Sequence, residues 1–132
     1  MKNKHYTFAL LAAALFAQSS NAMDIALKPF GSTNATVSSK EPNIINVKND
    51  TIAAITSKGG AILNDAITTD GSVVFSTSET KPFSILVETA KGFNFTVNAT
   101  PKKNQNSASI VIHNLADKGK ELDADSTGFS AA

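Results

Sequence analysis

No cysteine, tryptophan or arginine occurs in the 132 residues. Without cysteine the chain can form no disulfide and offers no thiol for lipid attachment, so its fold must rest on apolar burial. Beyond His5 near the start, its one histidine is His113, and with no thiolate available a zinc site lacks donors. His113 beside Asn114 reads as a solvated strand end, and no Gly-x-Ser-x-Gly elbow supplies a nucleophile for it. Asp117, Glu121, Asp123 and Asp125 cluster without the frame of a calcium loop. Lys58-Gly59-Gly60 lacks the spacing that cradles phosphate and reads as a turn. No enzyme activity, metal or cofactor is expected. Nucleic-acid domains carry a basic face with arginine among its contacts. Here every basic side chain other than histidine is lysine, and the lysines stand apart except Lys102-Lys103, so no direct nucleic-acid contact is expected.

What is present begins with an export signal. Lys2, Lys4 and His5 precede an apolar run from Phe8 to Ala17, and Ser20-Asn21-Ala22 supplies small residues for cleavage. The run is too short for a bilayer, which needs roughly 20 apolar residues. Residues 1–22 are therefore expected to be a signal peptide cut between Ala22 and Met23. Residues 23–115 are expected to form one domain, and the small, polar residues 116–132 a disordered tail. The part after the signal carries ten lysines against eleven acidic residues.

The rest reads as strands and turns. Met23 to Gly31 is a mixed leader with a bend at Pro29 and Gly31. Short β-rich runs follow at Ser32–Ser38, Asn43–Val47, Thr51–Thr56, Val73–Phe75 and Ser109–Ile112. Residues 61–69 fit a helical turn almost as well as a strand. The clearest unit lies between Lys81 and Pro101. Phe83, Ile85 and Val87 alternate with Ser84, Leu86 and Glu88; after a turn ending at Gly92, Phe93, Phe95 and Val97 alternate with polar residues. Period-two alternation puts each apolar set on one face, so a β-hairpin is expected at the centre of a small antiparallel β-sandwich. Its outermost strands in sequence, Thr33–Val37 and Ser109–Ile112, are the candidate open edges. Val37 and Ile110 mark them as partner-binding candidates through strand addition.

At the hairpin the sequence resembles a known family. Asn43-Ile44-Ile45-Asn46-Val47, Asp50-Thr51-Ile52, Ser57-Lys58-Gly59-Gly60-Ala61, Lys81-Pro82-Phe83, Ile85-Leu86-Val87-Glu88-Thr89 and Gly92-Phe93-Asn94-Phe95 follow one another as in the TraK N-terminal domain. TraK proteins are secretin-like subunits of F-type conjugative type IV secretion systems. The resemblance implies a periplasmic protein held at the outer membrane through its partners, with no lipid anchor of its own. Those partners are a TraV-like lipoprotein, a TraB-like protein and other copies in a homo-oligomeric ring, and the assembly serves pilus formation and DNA transfer. A second β-domain normally follows in the family, and the sequence leaves open whether this chain is a fragment, a truncated gene product or a frameshifted end. The alternative is a secreted adhesin or carbohydrate-binding β-domain. The lack of tryptophan, and a single tyrosine at Tyr6, weigh against it.

Overall fold

A computed structural model describes residues 22–116. Residues 1–21 and 117–132, on which the expected signal peptide and disordered tail largely fall, lie outside the described residues. Nine strands run in chain order: β1 Ala22–Leu27, β2 Ser32–Ser38, β3 Asn43–Val47, β4 Ile52–Thr56, β5 Leu63–Ile67, β6 Val73–Ser76, β7 Phe83–Thr89, β8 Asn94–Lys102 and β9 Ser109–Asn114. They form a five-stranded sheet in the order β1-β9-β3-β6-β5 and a four-stranded sheet in the order β2-β8-β7-β4. The fold is all-β, as the turn spacing implied.

The sheets are mixed, which corrects the expectation of an antiparallel sandwich. β1 and β3 both run parallel to β9, and β2 runs parallel to β8. Parallel neighbours cannot be joined by a tight turn and need a long crossover, here provided by chain that passes through the other sheet. Local alternation reports which face a residue takes, not which strand lies beside it.

The hairpin forms as β7 and β8, antiparallel, with Phe83 opposite Ala99, Ile85 opposite Val97 and Val87 opposite Phe95. Phe83, Ile85, Val87, Phe93, Phe95 and Val97 all face inward and are buried, against Phe75, Ile45, Ile110 and Ile112 of the facing sheet. The Phe93 and Phe95 rings lie 5.1 Å apart, tilted by 35°, a favourable aromatic geometry. At the turn, Gly92 has φ of 85° and donates its N–H to Thr89 O, while Phe93 N donates to the Thr89 hydroxyl. Pro82 precedes β7. Pro101 lies within β8, one residue before its end, where its backbone faces past the start of β7 and no ladder donor is lost.

Two further strands were hidden in the sequence. The mixed leader folds as β1. Residues 63–67 of the ambiguous run fold as the edge strand β5, with all five residues exposed. Its pairing with β6 shifts register between Leu63 and Ala66. A comparable bulge between Ile52 and Ala54 lets Ile52 and Ile55, three residues apart, both turn toward the core. A regular strand would send them to opposite faces.

Candidate docking surface

Four strands border the sheets: β1 and β5 on one, β2 and β4 on the other. β9 is not among them. It lies between β1 and β3 and pairs in parallel with both. Ile110 is fully buried there, so the expected open edge at Ser109–Ile112 is corrected. Its position late in the chain suggested an edge, but the leader strand covers it.

β2 does border its sheet. Thr96 N donates to Gly31 O and Ser39 N donates to Lys102 O. With Ser32 opposite Thr96 and Thr36 opposite Thr100, odd-numbered residues of β2 turn their backbone to β8. The outward backbone groups belong to Asn34 and Thr36. Val37 instead packs a fully buried side chain into the core and faces β8 with its backbone.

The outer face of the β2-β8-β7-β4 sheet carries an open groove of about 320 Å³, lined among others by Phe30, Ala54, Leu86, Glu88 and Thr96. Leu86 is 54% exposed and sits opposite Thr96. Phe30 is 82% exposed at the β1–β2 corner. Leu86 follows from the alternation, which places an apolar residue between Ser84 and Glu88 on the wet face. Phe30 carries a weaker signal, an aromatic between Pro29 and Gly31. On the β5 border, Leu63 and Ile67 are also exposed. Apolar side chains on sheet borders and outer faces are the usual means by which β-domains meet partners.

Titratable chemistry is sparse. His113 Nε2 lies 3.0 Å from Asp24 Oδ1 across β1 and β9, in an exposed pair. Lys58 Nζ meets Glu79 at 2.7 Å. The Thr68 hydroxyl holds the Asp70 carboxyl below its usual range, with help from Ser72. Among the described residues no three His, Cys, Asp or Glu side chains gather as a metal site. No helix among them is long and apolar enough to cross a membrane.

The family model of the TraK N-terminal domain matches residues 26–120. A relative from Escherichia coli (strain K12), described as TraK lipoprotein, is 32% identical over 94 residues, which covers 71% of this chain and 39% of that protein. The chain thus spans well under half the length of the relative it matches. The relative's description as a lipoprotein belongs to that protein; the 132 residues here hold no cysteine. Residues 26–120 take in only the end of β1, Ala26 and Leu27, and all of β2 to β9, with the groove. The chain belongs to the TraK family, over that family's N-terminal domain.

Proposed function

We propose that this chain is a structural subunit of a periplasmic complex at the outer membrane. That complex is the core of a conjugative type IV secretion system, which supports pilus assembly and DNA transfer. The family match over residues 26–120 carries this reading. The domain acts by docking and does no chemistry of its own. Bordering strands offer unpaired backbone groups, and Phe30 and Leu86 offer apolar contact. The partners are a TraV-like outer-membrane lipoprotein, a TraB-like envelope protein and further copies of the chain.

The test is deletion of the gene and complementation in a mating assay, with affinity capture of the tagged chain from envelope extracts. Loss of pili and of DNA transfer, restored by the intact gene, is expected, together with recovery of an outer-membrane lipoprotein. Normal mating in the deletion strain would refute the reading.

A further inference from the structure

We propose that β1 exchanges between copies of this chain, the first strand of one molecule pairing with β9 of another. The inference rests on the reading of the domain as an assembling subunit and makes a second copy the partner.

Among the described residues β1 is a border strand paired with β9 alone, in parallel register from Ala22 opposite Ser109 to Leu27 opposite Asn114. Met23, Ile25 and Leu27 pack on the core. β9 therefore needs a strand in this place, and one from another copy fits as well as its own. Every β1–β9 contact, the Asp24–His113 pair included, is made identically in either arrangement. The joint decides between them.

That joint is Lys28–Gly31. Gly31 N donates to Lys28 O at 2.9 Å, and a Cβ on Gly31 would stand 2.8 Å from the same oxygen. Phe30 takes a φ of 64°, a region that disfavours side chains, and its ring remains in solvent. Returning Phe30 to negative φ straightens the joint and swings β1 away from its own β9. Pro29, the first central residue of this turn, has a fixed φ that suits it, so the strain of the joint is carried by Phe30 at the second central position. A short, strained joint next to a border strand is the arrangement that promotes exchange of an element between identical chains. Reciprocal exchange closes a dimer, and head-to-tail exchange builds a ring or filament.

Asp24→Cys combined with Val111→Cys tests this in the full chain, which has no other thiol. The two positions face each other in the β1–β9 register. The purified protein is oxidised at increasing concentration and resolved without reductant. Disulfide-linked multimers whose share rises with concentration are expected. Phe30→Gly should lower that share about fivefold, the factor that about 1 kcal/mol of relieved backbone strain gives. Internal disulfides alone at every concentration, or a share unmoved by Phe30→Gly, would overturn the proposal. Should the first pair impair folding, Ala26→Cys with His113→Cys reads the same register. The assay uses the purified chain alone, so its failure leaves the conjugation reading standing, and a failed mating test leaves the exchange standing.

Discussion

The Asn43 side chain closes on Ser38 from both ends of its amide: Oδ1 accepts from Ser38 N at 2.8 Å, and Nδ2 donates to Ser38 O at 3.0 Å. Oδ1 also accepts from Ala108 N at 3.0 Å. One buried amide thus joins the end of β2, the start of β3 and the entry to β9, where the chain passes from one sheet to the other.

Asn43→Ala leaves three buried backbone groups without these partners. At roughly 1–3 kcal/mol for each buried polar group left unsatisfied, a loss of about 4 kcal/mol is expected. Urea denaturation measures it. A loss below about 1 kcal/mol would mean that water replaces the amide.

Two glycines with similar φ should respond differently. Gly71 has φ of 83° and a Cβ there would land on the Thr51 side chain, within 2.9 Å of its Cα. Gly92 has φ of 85° and open space around it. Gly92→Ala should cost about 1 kcal/mol, from backbone strain alone, and Gly71→Ala at least about twice that. Thermal melts of the two variants give the comparison, and equal shifts would contradict the steric account.

Proline at the β2 border separates docking from folding. Thr36 turns its N–H away from β8, so Thr36→Pro should cost less than about 1 kcal/mol while reducing partner capture from envelope extracts. Val37 turns its backbone toward β8 and its side chain into the core, so Val37→Pro should cost about 3 kcal/mol or more. Unchanged capture by a folded Thr36→Pro variant would remove β2 as the docking border.

The outer face and the core should separate in the same way. Phe75 is wholly buried, and Phe75→Ala should cost about 3–5 kcal/mol. Leu86→Ser, at a half-exposed position, should alter stability by about 0.5 kcal/mol or less. If the groove docks a partner, Leu86→Ser still lowers recovery of that partner; undiminished recovery would exclude the groove.

Asp70 predicts a pH effect confined to acid. The Thr68 hydroxyl, then Ser72, hold its carboxyl below the usual carboxylate range. A depressed folded pKa contributes stability that is fully present above the unfolded value and is lost as pH falls through the folded one. The difference between the natural chain and Asp70→Asn should therefore be constant from pH 7 to about 5 and shrink below about 4. Denaturation midpoints of both proteins across that range check the sign, and a difference that grows toward low pH would reverse it.

The alternating apolar residues of Phe83–Val97 determine by themselves that a hairpin forms and which of its faces is buried, because side-chain direction in a strand is a local property of the backbone. The ordered motifs from Asn43 to Phe95 likewise carry the family. Only the tertiary structure decided that β9 is an interior strand flanked in parallel by β1 and β3, that β5 is a border strand, and that Phe30 turns outward at positive φ. Those features depend on contacts between segments as distant as Ala22 and Ser109, and on bulges that reset the face of Ile55 relative to Ile52. Local periodicity is blind to both, since it fixes the direction of a side chain and leaves the neighbouring strand to the packing of the whole sandwich.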